Sequence, residues 1–205
     1  PDGALVTRDH FDLTINAEDA RRRTTRAVIG ANGRISDRAR YEISYAYGQT
    51  RSRIVERNNR VTELWEAAID VVTDPVSGEP VCRATLDPDS SPALQRCVPF
   101  NIFGEHAQDP AALDFILTDS TNHSTVTQKV VSGSVSGDLG SFLALPGGSV
   151  GYAVGAEYRR ESSDFRPDPL VQQGLTWIGA LQPESGSFSV KEAFAEINLP
   201  VLQDR

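Results

Sequence analysis

From Gly186 to Leu202 the chain reads GSFSVKEAFAEINLPVL. Ala193, Ala195, Ile197 and Leu199 recur at alternate positions, with Glu192, Glu196 and Asn198 between them. A period of two belongs to an extended strand, whose successive side chains point to opposite faces. One face of this strand is apolar and the other strongly polar. A soluble sandwich buries the apolar face against a second sheet. An outer-membrane barrel turns it to lipid and keeps the charges in its lumen. The choice decides between a soluble binder and a piece of a transporter.

Four further stretches carry strand alternation, giving about five strands. Residues 22–31, RRTTRAVIGA, put Thr25, Ala27 and Ile29 on one face and end at the turn signal Asn32-Gly33. In ARYEISYAYGQT, Tyr41, Ile43, Tyr45 and Tyr47 alternate with Arg40, Glu42, Ser44 and Ala46. Three tyrosines on one face suit a membrane interface, where the ring is apolar and the hydroxyl stays wet. TVTQKVVSGSVSGDL sets Val131, Gly133, Val135 and Leu139 opposite Gln128, Ser132, Ser134, Ser136 and Asp138. A turn at Pro146–Ser149 leads into VGYAVGAEYRRES, with Val150, Tyr152, Val154, Ala156 and Tyr158 on one side and Glu157, Arg159 and Glu161 on the other.

Short turns join the first two strands and the next two. Long segments, about 51–124 and 163–186, separate the others. Tight turns alternating with long loops are the pattern of a transmembrane barrel, and a soluble domain rarely holds so long an insertion between neighbouring strands. Within the first long segment, Val61, Leu64, Trp65, Ala68 and Val72 have helical spacing, and DPAALDFIL predicts a second short helix with Asp109 as cap and Pro110 at its first position.

Composition narrows the partners. Among 205 residues 39% are hydrophobic and the net charge is −8, which argues against nucleic acid, since neutralising phosphates needs a basic surface. No run reaches the about 20 apolar residues of a spanning helix. The chain has no methionine and its first residues lack a signal-peptide core, so the expectation is a segment of something longer. Cys82 and Cys97 lie in a polar, proline-containing stretch without zinc-ligand spacing. A surface-loop disulfide is the preferred reading, two unrelated thiols the alternative.

Chemistry-bearing motifs are scarce. His10, His106 and His123 stand far apart and none lies in a metal-ligating pattern. Residues 133–140, GSVSGDLG, lack the lysine and following helix of a phosphate loop. Glycines there keep a strand slim. Asp87 and Asp89 lack the spacing of a calcium loop, and Asn122-His123-Ser124 matches the short glycosylation pattern. Glu157, Glu161 and Glu192 fit an ion-paired ladder with Arg159 better than a catalytic pair. The sequence points to no enzyme, no cofactor and no metal.

CVPFNIFG (97–104), DPAALDFI, SGSVSGDL, VGYAVGAEYRRESSDFRPD and GSFSVKEAFAEINLPVL, in that order, resemble the barrel domain of TonB-dependent outer-membrane receptors, from about Asp9 to the end. The resemblance implies an all-β fold of antiparallel up-and-down strands forming part of a transmembrane β-barrel, its long external loop carrying short helices. Receptors of this family close a 22-stranded barrel around an N-terminal plug and import ferric siderophores, cobalamin, haem or oligosaccharides with energy passed on by TonB. The plug, the TonB box and a terminal aromatic strand are not recognised in this sequence, so the match is to residues 1–205 as an internal barrel segment.

On that reading the residues facing outer-membrane lipid are Tyr41, Ile43, Tyr45, Tyr47, Val150, Tyr152, Val154, Tyr158, Ala193, Ala195, Ile197 and Leu199. Phe194 interrupts the polar face as a contact for the plug, and the last strand ends at Pro200. The expected partners are lipid, a small nutrient and, through the plug, the TonB complex. Trp65, Arg83, Arg96 and Trp177 are the expected loop contacts to substrate. The alternatives are a secreted soluble β-sandwich that binds a ligand, or a non-functional truncated product.

Overall fold

The computed structural model of the chain describes residues 17–202. In order these form β1 (Glu18–Ser36), β2 (Ala39–Arg60), α1 (Thr62–Ile69), β3 (Val71–Thr73), β4 (Pro80–Cys82), α2 (Arg83–Leu86), α3 (Pro110–Ile116), β5 (Leu117–Asp138), β6 (Ala144–Leu145), β7 (Gly148–Ser149), β8 (Gly151–Arg166), α4 (Pro169–Gln172) and β9 (Glu184–Asn198). The five long strands make one sheet in the order β1-β2-β5-β8-β9, each beside the next long strand along the chain. The expected all-β, up-and-down antiparallel sheet is present. His10 lies outside the described residues.

Several boundaries differ from those read in the sequence. β1 runs through Asn32-Gly33, and the turn falls at Asp37–Arg38, where the Ser36 hydroxyl accepts from the Arg38 amide at 3.3 Å. Ala31, Gly33 and Ile35 continue the period of Ala27 and Ile29, so strand pairing extends past the turn signal. A β-carbon at Gly33 would lie 2.8 Å from the Tyr41 ring, so glycine serves there as a seat for that ring. The long segments shrink to 61–116 and 167–183, because β2, β5, β8 and β9 extend well into them. β9 stops at Asn198, before Pro200. The polar turn at Pro146-Gly147 is real, but it closes the two-residue hairpin β6–β7.

The described residues fall into two compact units, one of residues 17–21, 53–123 and 166–183, the other of 22–52, 124–165 and 184–202.

The second unit consists of the sheet. Its faces follow from the pairing. β8 and β9 are antiparallel with Tyr152 opposite Ile197, Val154 opposite Ala195 and Glu157 opposite Glu192. Ser44 and Ser132 share a hydroxyl contact of 2.9 Å, and Gln128 donates to Glu161 at 2.9 Å. These put Glu42, Ser44, Ser132, Glu157, Glu161 and Glu192 on one face. On the other, Gln49 donates to Thr127 at 3.3 Å and the Tyr152 hydroxyl approaches Gly137. That face carries Ile29, Tyr41, Ile43, Tyr45, Tyr47, Val131, Val135, Tyr152, Val154, Tyr158, Ala193, Ala195 and Ile197.

Of the apolar side chains in this unit, Val150 alone is buried among the described residues. Ile29, Ile43 and Ile197 are left 72%, 51% and 73% exposed. Two of the residues assigned to the apolar face lie outside the strands. Val150 precedes β8 and is 3% exposed, its amide bonded to the Leu143 carbonyl, while Leu199 lies beyond the end of β9.

The polar face is held by charge. Arg159 stands 3.8 Å from Glu157, 4.0 Å from Glu161 and 3.5 Å from Glu192, the ladder that the alternating glutamates predicted. Phe194 lies opposite Gly155, and a β-carbon on that glycine would come within 2.5 Å of its ring and 2.9 Å of the Gly133 carbonyl oxygen. The aromatic covers a glycine across the strand pair, which restores packing that glycine alone cannot supply.

The first unit has a conventional core. Ala68, Cys82, Cys97, Phe100, Ala112 and Ile116 cluster, with Trp65, Ile102, Leu113 and Phe115 packed against them. α3 starts as its sequence predicted, Asp109 accepting from the Ala111 amide with Pro110 in the first turn. α1 ends at Ile69, short of Val72, because Val71–Thr73 pair with Pro80–Cys82 as a small hairpin. Cys82 and Cys97 are bonded, their Cα atoms 6.1 Å apart. The bridge ties β4 to the end of the 3-10 turn Leu94–Arg96 and closes the segment containing α2.

Two outcomes follow. Replacing both cysteines, Cys82→Ala with Cys97→Ala, is expected to cost the first unit roughly 3 kcal/mol, as opening a loop of this length does, measured by denaturant titration against the oxidised protein. Gly155→Val is expected to displace the Phe194 ring and cost about 1–3 kcal/mol of overpacking. Equal stability of that variant would mean that the ring does not rest on the glycine.

Candidate functional site

In the first unit, residues 53–60 of β2 and 117–123 of β5 are bound to each other mainly by polar side chains. On one side Glu56 accepts from Ser120 at 3.3 Å and from Asn122 at 3.2 Å, and Asn59 donates to Ser120 at 3.0 Å. Asn122 also accepts from the Asp168 amide at 3.0 Å, and Asp168 caps α4 by accepting from Leu170 at 2.9 Å while its second oxygen accepts from the Thr121 amide at 2.9 Å. On the other side Arg57 is pinned between Asp119 and, at 3.5 Å, Asp19. Asn58 takes φ of 58° and donates its amide to Asp119 at 3.2 Å. This local kink (asparagine tolerates the left-handed region better than most residues) brings Asn59 to the side of Glu56.

These residues wall a recess of about 180 Å³ lined by Glu18, Glu56, Arg57, Asn59, Trp177 and Ile178, with Ala17 at its edge. Trp177 hydrogen-bonds through its amide to the Arg60 carbonyl and leaves its side chain 55% exposed. The Asn59 side-chain Oδ1 is buried without a hydrogen-bond partner among the described residues. Arg57, the one cation among the described residues that line the recess, is paired with two carboxylates. An aromatic plate beside hydrogen-bond acceptors can hold a ligand that offers an apolar face and N–H or O–H donors.

Of the four expected substrate contacts, Trp177 lines this recess and the other three do not. Trp65 packs in the core, 4.8 Å from Phe100, under the Arg60 guanidinium at 4.7 Å; its helical spacing with Ala68 reflects packing. Arg83 is engaged by Asp70 through two hydrogen bonds of 2.9 and 3.1 Å, which also raises its pKa. Arg96 is exposed, ends a 3-10 turn and has no ion-pair partner among the described residues. Asn122, in the glycosylation pattern, is 6% exposed and bonded at both ends of its amide, so it is not available as an acceptor. Glu18, Glu56 and Asn59 went unread because a polar run such as VERNNR has no pattern that marks a strand.

The second unit has a larger concavity of about 520 Å³ on its polar face, lined by Glu42, Ser132, Ser134, Glu157, Glu192 and Phe194, with backbone from neighbouring positions. It is acidic, and the cation Arg159 on the same face is shared among three glutamates. No group of three or more His, Cys, Asp or Glu side chains placed to hold a metal ion occurs among the described residues. No family model, curated protein or solved structure matches this chain.

In the β3–β4 turn, the Asp74 carboxylate accepts from the Val76 amide at 2.9 Å and the Ser77 hydroxyl at 2.7 Å, and these bonds hold its pKa below the ordinary 3.8. A depressed folded pKa gives stabilisation that is complete above the unfolded value and is lost as pH falls through the folded one. Carboxyl chemical shifts in an acid titration are therefore expected to place the Asp74 midpoint below 3.8, with Asp74→Asn abolishing the acid-induced loosening of the turn. A midpoint at or above the ordinary value would remove this account.

Proposed function

We propose that the chain is a barrel-wall segment of a TonB-dependent outer-membrane receptor of a Gram-negative bacterium. Its loop unit contributes to external capture of a scarce nutrient such as a ferric siderophore. One observation carries this reading: a single-layer sheet whose exposed face is apolar and edged with tyrosine, and whose opposite face is an ion-paired polar wall. Tyr152 and Tyr158 lie on one face of β8 with Val154 and Ala156 between them, and Tyr41 and Tyr47 bracket Ile43 likewise on β2. The separation is about 20 Å along a strand, of the order of the apolar band of outer-membrane barrels, about 25 Å between aromatic girdles.

The second reading, a soluble sandwich, needs another sheet over the apolar face. The other sheets among the described residues are two-stranded, with strands of two or three residues. In water this face is an exposed apolar patch of the kind that marks an interaction or membrane site. Lipid removes the penalty of that exposure at the face itself. The loop unit, with its own core and its disulfide, fits an oxidising compartment outside the inner membrane. We assign substrate contact to Trp177 alone among the loop residues read from sequence.

The test is an arginine placed on either face, with the chain refolded into phosphatidylcholine vesicles. Val154→Arg is expected to cost about 2–4 kcal/mol of stability in the bilayer, read by denaturant titration of the vesicle-bound protein. Ser134→Arg, on the acidic face, is expected to change it little. Equal effects of the two would sink the barrel reading, as would failure of the unsubstituted chain to associate with vesicles.

A further inference from the structure

The apolar face of the second unit ends in a rim of different chemistry. Next to the tyrosines, a groove of about 460 Å³ is lined by Tyr47, Gln49, Thr127, Lys129, Arg160 and Ser162. All six side chains belong to the face that carries Ile43 and Val154, since Gln49 bonds Thr127 across the β2–β5 pair and Arg160 and Ser162 keep the phase of Tyr158. Lys191, opposite Tyr158, adds a third cation at the same margin.

Elsewhere Arg57 is paired with Asp19 and Asp119, Arg83 with Asp70, and Arg159 with three glutamates. Lys129 and Arg160 are exposed and have neither an ion-pair nor a hydrogen-bond partner among the described residues. In a chain of net charge −8, two unneutralised cations side by side need a reason. Their surroundings supply hydroxyl and amide donors from Thr127, Ser162 and Gln49, and among the described residues no carboxylate lines the groove. Such a set suits phosphate oxygens, which accept from cations and neutral donors together.

We propose that this groove binds the phosphate of an anionic lipid headgroup whose acyl chains lie along the adjoining apolar face. The proposal rests on the membrane reading above and extends it from a lipid-facing wall to a wall with a headgroup site. The continuity of groove and apolar face is what selects a lipid over free phosphate: one molecule fills both. Lys129 supplies a point charge, Arg160 a planar fork able to meet two phosphate oxygens, and Tyr47 closes the boundary between headgroup and chain.

The experiment compares binding of the full chain to vesicles of phosphatidylcholine alone and of phosphatidylcholine mixed equally with phosphatidylglycerol, by flotation at moderate salt. The unsubstituted chain is expected to prefer the anionic vesicles. Lys129→Gln with Arg160→Gln is expected to reduce that preference by about fivefold for each cation removed, with binding to neutral vesicles unchanged. Lys129→Arg with Arg160→Lys should keep it, and Arg26→Gln with Arg40→Gln, on the opposite face, should also keep it. Binding to both vesicles without preference, or a preference that survives the double glutamine variant, overturns the headgroup site and leaves the barrel reading standing. Loss of the preference to the same extent in the opposite-face variant overturns it too, since net charge would then suffice. No binding to either vesicle overturns both.

Discussion

The strand ladder is the constraint on which the second unit depends. Where Val150 is the one buried apolar side chain among the described residues, backbone hydrogen bonds and cross-strand side-chain pairs must supply the order that a core supplies elsewhere. Register therefore matters more than in a packed domain. A slip of one residue would exchange the faces, setting Glu157 and Glu192 on the face that Val154 and Ala195 now hold. The charged ladder around Arg159, the Ser44–Ser132 contact and the Phe194–Gly155 pair each make sense only in the observed register. They act as pins that cost little in volume and fix phase.

The first unit solves the opposite problem. Its segments are too irregular for a ladder to organise them, so it uses burial and covalent closure. Phe100 and Ile116 fill the centre, the Phe100 amide reaches the Ala68 carbonyl at 2.8 Å, and the disulfide holds a polar segment that has few apolar groups of its own. Asp168 serves at once as helix cap and as partner to the Thr121 amide. A short helix and a strand thereby share one carboxylate. Rigidity of this kind is what a recess needs if its aromatic wall, Trp177, is to present the same face to each ligand.

Much of the sheet was legible because hydrophobic alternation is a direct record of two unlike environments. Tyr41, Ile43, Tyr45 and Tyr47 declared their strand, and so did Ala193, Ala195 and Ile197. The strand extensions were not legible, since polar residues fall on both sides there and bond across the pair, Arg53 to Thr121, Arg57 to Asp119 and Asn59 to Ser120. Alternation vanishes where neither face is apolar, though pairing continues. Val150 misled for a related reason. Its phase matched the strand, but it sits one residue before β8 and is buried, its amide bonded to the Leu143 carbonyl. The recess was harder still. Trp177 stood out as a large residue in a loop, whereas Glu56 and Asn59 acquire meaning only from a kink at Asn58 that no sequence pattern announces.

The sheet edges bear most directly on the membrane reading. Among the described residues β1 and β9 each pair on one side only, which leaves rows of amide and carbonyl groups open along strands of 19 and 15 residues. In water such edges are satisfied by solvent and blunted by charge, and β1 does carry a run of arginines. In the hydrocarbon of a bilayer each unsatisfied group costs several kcal/mol, far more than the apolar face of five strands can offset. A lipid-facing wall of this chemistry is therefore tenable only with both edges paired, whether by further strands or by other copies. The same apolar face that disfavours water thus requires neighbours in lipid, and the open edges of β1 and β9 are where those neighbours must add.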